Sequence, residues 1–236
     1  MALDVYVGSL TRYYTGDWEN TAERAARERG MQYRAVRPGH VGEAESDPQQ
    51  VRRLVLAWQR NLGHALGEKI TTPLAWNEAE EVMYFTGRPG WDGFGSLVLW
   101  AAYAEQPSLR RPRELVEEWD EDPALVRSNA DGFTSRFSHL VHNVELWLPS
   151  PFEFTFEAED IGGSKIVMGS AITLRRQLAE LNTGTWKASE DLVAGWAKHA
   201  PGKDDGLDVR AQHAFGILFD LAKVAAEHRL PMKLDY

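Results

Sequence analysis

Apolar residues recur along this chain with two spacings, and each spacing predicts an element. Leu3, Val5 and Val7 alternate with polar residues over 3–9, which predicts a short strand. A polar aromatic loop with Tyr13 and Tyr14 follows, and Asp17 is placed to cap a helix from Trp18 to Glu28, with Gly30 near its end. Residues 35–47 carry Gly, Pro and charge and read as loop. The clearest helix is 48–66. Asp47 caps it and Pro48 occupies its first turn, where a missing N–H is harmless. Val51, Leu54, Val55, Trp58, Leu62, Ala65 and Leu66 form its apolar stripe, and Gly67 stops it.

Further on, 81–86 reads as a strand, 87–95 as a glycine-rich loop and 96–105 as a helix. A helix is predicted over 133–143 from Phe133, Phe137 and Leu140, then a short strand at 146–148 ended by Pro149 and Pro151. Phe152, Phe154 and Phe156 alternate with polar residues as in a half-buried strand. A turn at 160–164 leads to a strand at 165–168. Ser170 caps a helix to Leu181, Ser189 starts another to His199, and a last helix covers 208–229 before Pro231. Strands and helices do not alternate as in a doubly wound sheet. The order predicts an α+β fold, dominated by helices, with a small mixed or antiparallel sheet. A single domain over 1–236 is expected, with 106–122 as the candidate subdomain boundary or exposed insertion: Arg and Pro fill its first half and six acids in nine positions fill 114–122.

Composition narrows the function classes. With 43% hydrophobic residues and nine Trp, the chain of 236 residues can build a sizeable core. No Cys is present, so disulfides, thiol catalysis and Cys-based metal sites are excluded. The N-terminal residues lack a signal-peptide pattern and no apolar run is long enough to span a bilayer. A cytoplasmic protein is expected. The net charge of −9 disfavours nucleic acid and acidic lipid and favours a basic protein partner. A homo-oligomer that buries part of the Trp surface is a further expectation. No cofactor is expected.

Four groups of residues carry candidate chemistry. The stretch Gly87-Arg88-Pro89-Gly90-Trp91-Asp92-Gly93-Phe94-Gly95 and Ser96 sits between a predicted strand and helix, where backbone N–H groups and Arg88 would hold an anion. The glycine order fits neither the P-loop nor the dinucleotide fingerprint, and Asp92 repels phosphate. The competing reading is a shaped turn that brings Arg88, Trp91 and Asp92 together. Tyr13, Tyr14, Asp17 and Trp18 offer aromatic area with polar handles, or else a cap and core packing. His139, His142 and Glu145 have ligand chemistry for zinc, set against a bland reading of histidines at a helix C-terminus. Glu117, Glu118 and Trp119 form either an acidic docking surface or the outer face of an amphipathic helix.

Two blocks resemble a group of uncharacterised bacterial intracellular proteins, some of them immunity-protein-like. One is Gly93-Phe94-Gly95-Ser96 with Trp100, Ala101 and Ala102. The other runs from Phe137-Ser138-His139-Leu140-Val141-His142 through Trp147-Leu148-Pro149 to Gly169-Ser170 and Leu174–Leu181. In that group a Ser-Asp pair follows the second histidine, where this chain has Asn143 and Val144. The resemblance spans about a third of the chain and implies no reaction. The expectation is an acidic binding protein, immunity-like, with a small-ligand-binding protein or metal-dependent enzyme using a cleft near Gly87–Ser96 as the alternative.

Overall fold

The computed structural model describes residues 2–31 and 47–236. Of the 35–47 loop expectation, all but Asp47 lies outside the described residues. The fold is α+β, with one mixed sheet of six strands in the order β2-β1-β6-β3-β5-β4. These are β1 (Asp4–Val7), β2 (Phe85–Gly87), β3 (Val144–Leu148), β4 (Phe156–Glu159), β5 (Lys165–Ser170) and β6 (Met232–Asp235). Only β3 and β5 run parallel; the other pairs are antiparallel. Helices cover both faces.

Alternation along β1 divides the core. Leu3, Val5 and Val7 pack with α4 (Gly90–Glu105), α7 (Ala171–Gly184) and α9 (Leu207–His228). Tyr6, between them, turns to the opposite face and meets Tyr13 and Trp18. That second face also buries Leu146, Leu148, Ile166 and Met168 against Leu10 of α1 (Leu10–Thr15) and Val51, Val55 and Leu62 of α3 (Pro48–Leu66). Trp58 of α3 donates its Nε1 to the Glu159 carbonyl at 2.8 Å and so covers the β4 edge.

Several expected boundaries shift, each for a local reason. Asp17 is not a helix cap. Ser9 caps α1, Gly16 ends it in the left-handed region, and Asn20 with Glu23 forms a capping box on α2 (Thr21–Glu28). The helix expected from Ser96 begins at Gly90, so most of the glycine stretch is helical. Every residue from Gly93 to Ala102 is buried, and a helix buried all round needs no amphipathic stripe. The helix expected over 133–143 shrinks to the one-turn α6 (Ser138–Val141), because Asn143 takes a positive φ and sends the chain into β3. Phe152 and Phe154 precede β4 and cluster with Phe156 instead of lying in one strand. The strand expected at 81–86 is confined to Phe85–Gly87.

α5 (Pro123–Ser128) and α8 (Glu190–Lys198) complete the helices of the described residues. The 106–122 segment lies back on the core through Leu109, Leu115 and Trp119.

Candidate functional site

Gly95 of the 87–95 stretch fits α4 to the 106–122 segment. A methyl group on Gly95 would lie 2.6 Å from Cε2 of Trp119, so the bare backbone at Gly95 seats that indole. The other end of the same segment is held as closely. Leu207 donates its backbone N–H to the Arg113 carbonyl at 2.9 Å, and a methyl on Gly206 would lie 2.9 Å from that oxygen. Asp122 then caps α5 through the Ala124 N–H and accepts from the Tyr103 hydroxyl at 3.1 Å, which together with burial raises the Tyr103 pKa to about 12.

Fixed in this way, residues 114–117 and Trp119 wall a groove of about 510 Å³ whose other sides come from the start of α4 and the loop before α9. Trp91 and Trp119 supply its aromatic surface. Five carboxylates line it, those of Asp92, Glu114, Glu117, Asp204 and Asp205, against two cations, Lys203 and Arg210. Arg210 is already spent on the scaffold. It donates to the carbonyls of Gly202, Lys203 and Asp205 at 2.9–3.1 Å and pairs with Asp92 at 3.4 Å, which ties the 202–205 loop to α4. Asp205 accepts the Gly202 N–H at 2.6 Å. Among the described residues, no hydrogen bond or ion pair engages the carboxylates of Glu114, Glu117 or Asp204. The lining holds no Ser, Thr or His. Its chemistry suits cation recognition.

The structure joins two groups that the sequence left apart, Trp91 and Asp92 with Glu117 and Trp119. Glu118 is exposed beside them but does not line the groove. Trp119 is partly buried on the core, which departs from a fully exposed docking aromatic. Lys203, Asp204, Asp205 and Arg210 are groove residues that sequence reasoning missed. The only available signal was the acid pair Asp204-Asp205 between Gly202 and the last helix.

The remaining candidates sit elsewhere. Arg88 pairs with the buried Asp4 at 2.6 Å, and Ser96 is wholly buried in α4. Trp91 meets Tyr236 edge-on at 5.1 Å, and the Tyr236 hydroxyl donates to Glu145 at 2.6 Å. Tyr13 and Tyr14 lie on α1, not in a loop. Tyr13 donates to Asp235 at 3.1 Å, and Tyr14 donates to Asp160 at 2.8 Å. Asp160 also faces Lys233 at 3.3 Å, deep on the second face of the sheet. Trp18 stacks on Tyr13, and Asp17 pairs with Arg12 at 3.2 Å.

The histidines do not form a ligand set with Glu145. His139 is fully buried, and its Nδ1 accepts the Ser170 N–H at 2.8 Å. Burial holds its pKa down at about 4, so the ring is neutral. The His142 ring meets the Thr155 hydroxyl at 3.0 Å, and burial lowers its pKa too. Among the described residues, no group of three His, Asp or Glu side chains is placed to hold a metal ion. Nor is any described helix long and apolar enough to cross a membrane.

Compared with known proteins, the chain matches no family model, no curated protein and no solved structure.

Proposed function

We propose that this chain is a non-enzymatic binding protein whose acidic groove takes a cationic segment of a protein partner. The carrying observation is the groove itself: five carboxylates and two indoles line it, and three of the carboxylates have no partner among the described residues. Lysine and arginine side chains satisfy both features, since their heads pair with carboxylates and their stems lie along indole faces. The overall charge of −9 adds attraction at longer range. The same reading accommodates the immunity-like resemblance and a cytoplasmic encounter.

The test is anisotropy of a fluorescein-labelled oligolysine peptide at low salt. Reversing Glu114, Glu117 and Asp204 to Lys together should weaken binding at least about tenfold. Reversing Glu28, Glu68 and Asp131, exposed acids that do not line the groove, changes net charge equally and should cost far less. Equal losses in the two triple variants would leave only a global charge effect and sink the groove reading.

A further inference from the structure

Arg111 stands three residues before Glu114, a chain span of at most about 10 Å. Its guanidinium carbon sits over the Trp100 indole, 3.4 Å from the ring centroid. Trp100 is itself buried and stacks on Trp186 at 4.8 Å, so the platform is fixed by the core. Among the described residues the guanidinium has no hydrogen-bond acceptor and no ion pair. Asp208 acts on it only through space, and partial burial lowers its pKa. The guanidinium carries five N–H donors in one plane, and none of them is engaged among the described residues. Arg111 is thus an exposed charge held over a ring fixed by the core, with its N–H donors unused among the described residues.

We infer that Arg111 is a carboxylate-binding residue at the rim of the acidic groove, so that the partner segment carries an Asp or Glu beside its cationic residues. The inference rests on the groove reading above. It deepens that reading by giving the partner a charge order: cations for Glu114, Glu117 and Asp204, then a carboxylate for Arg111. A guanidinium meets a carboxylate through two parallel N–H···O bonds. The contact with Trp100 already restrains the side chain, so less rotamer entropy is lost on binding. The nearby acids Glu114 and Asp208 select a monoanion over a doubly charged phosphate, which they would repel more strongly. Exposed Arg110 and Arg113 strengthen the local field for the carboxylate.

The experiment uses two labelled peptides, a lysine run followed by Glu and the same run followed by Gln. The intact protein should bind the Glu peptide about fivefold more tightly, the scale of one well-oriented exposed ion pair. Arg111→Gln should erase that preference and leave the Gln peptide unchanged. Arg111→Lys, which keeps the charge and loses the fork, should retain only part of it. The reversal of Glu114, Glu117 and Asp204 should weaken both peptides. A wild-type protein with no preference for Glu, or an Arg111→Gln variant that keeps it, overturns the inference and leaves the groove standing. Failure of both peptides to bind overturns the groove reading and the inference with it. Unchanged urea midpoints in the Arg111 variants show that the fold is kept.

Discussion

Lys233 and Asp160 face each other at 3.3 Å where neither is more than a tenth exposed. Further polar and aromatic neighbours support the two buried charges. Asp160 also takes the Tyr14 hydroxyl and the Ser164 N–H, and Lys233 lies 5.6 Å from the Tyr13 ring centre. Removing one partner strands the other, which costs about 3–5 kcal/mol in buried pairs. Lys233→Met should fall at the lower end, since two donors to Asp160 remain, and the loss should appear as a reduced urea midpoint at unchanged slope. An unshifted midpoint would mean that water already reaches the pair. His139 makes a second prediction. Its pKa is held near 4 in the fold against 6.5 in the unfolded chain. Above pH 6.5 both states are neutral and the fold keeps its full stability. As pH falls from 6.5 to 4, only the unfolded chain takes the proton, and about 3 kcal/mol drains away in order of magnitude. His142, shifted the same way, adds to the slope. Denaturant titrations across that window should show the decline, and His139→Gln should flatten it; an equally steep variant would assign the slope to other groups. The sequence shows Tyr13, Tyr14 and His139 as chemistry-bearing residues but not their partners. Asp235 and Asp160 lie far along the chain, and the group that binds the His139 ring is a backbone N–H, which every residue but proline carries.

At the scale of elements, α4 shows what local pattern can and cannot reveal. Helix α3 spans the predicted residues, because Asp47, Pro48 and Gly67 mark its ends and an amphipathic stripe fills the interval. The start of α4 was hidden by its own glycines. Glycine costs a helix about 1 kcal/mol against alanine, so Gly90, Gly93 and Gly95 read as loop. Tertiary packing outweighs that penalty: Gly95 receives the Trp119 indole, and Gly93 faces Ala214 of α9. The two positions therefore separate propensity from packing. At Gly93 a methyl would sit 3.4 Å from the Ala214 Cβ, an ordinary contact, so Gly93→Ala should be neutral or gain up to about 1 kcal/mol. At Gly95 the methyl would meet the indole at 2.6 Å. Overpacking costs about 1–3 kcal/mol, which exceeds the propensity gain, so Gly95→Ala should destabilise the fold. It should also expose Trp119, red-shift the indole emission and weaken cationic peptide binding. Thermal melts and emission spectra of the pair check this, and a stabilised Gly95→Ala would show that Trp119 moves freely. Strand β6 was missed for a related reason. Met232 and Leu234 point to one core, while Lys233 and Asp235 are buried on the other face, so the tetrapeptide looks polar although it sits mid-sheet.

The groove belongs to the whole molecule, since its walls come from the start of α4, residues 114–117 with Trp119, and the loop before α9, and only folding makes them neighbours. Trp91, Asp92, Glu117 and Trp119 were recognisable one by one as aromatic or acidic residues in irregular sequence. Their convergence was not, because it depends on the backbone contact between Arg113 and Leu207 and on the ties that Arg210 makes. The excess of carboxylates there adds to a molecular charge of −9, so a cationic segment is drawn to this face before it touches it. Steering and contact then respond differently to salt. The Debye length falls from about 30 Å at 0.01 M to about 3 Å at 1 M, which removes long-range attraction before it dissolves close, partly desolvated pairs. Stopped-flow mixing with oligolysine should therefore show an association rate that drops at least about tenfold over that range, while dissociation accelerates less. Reversal of Glu114, Glu117 and Asp204 should lower the association rate at low salt and flatten its salt dependence. If salt acts instead on dissociation alone, encounter is not electrostatically guided. The groove would then hold its ligand by contact with Trp91 and Trp119, and charge would set only the lifetime of the complex.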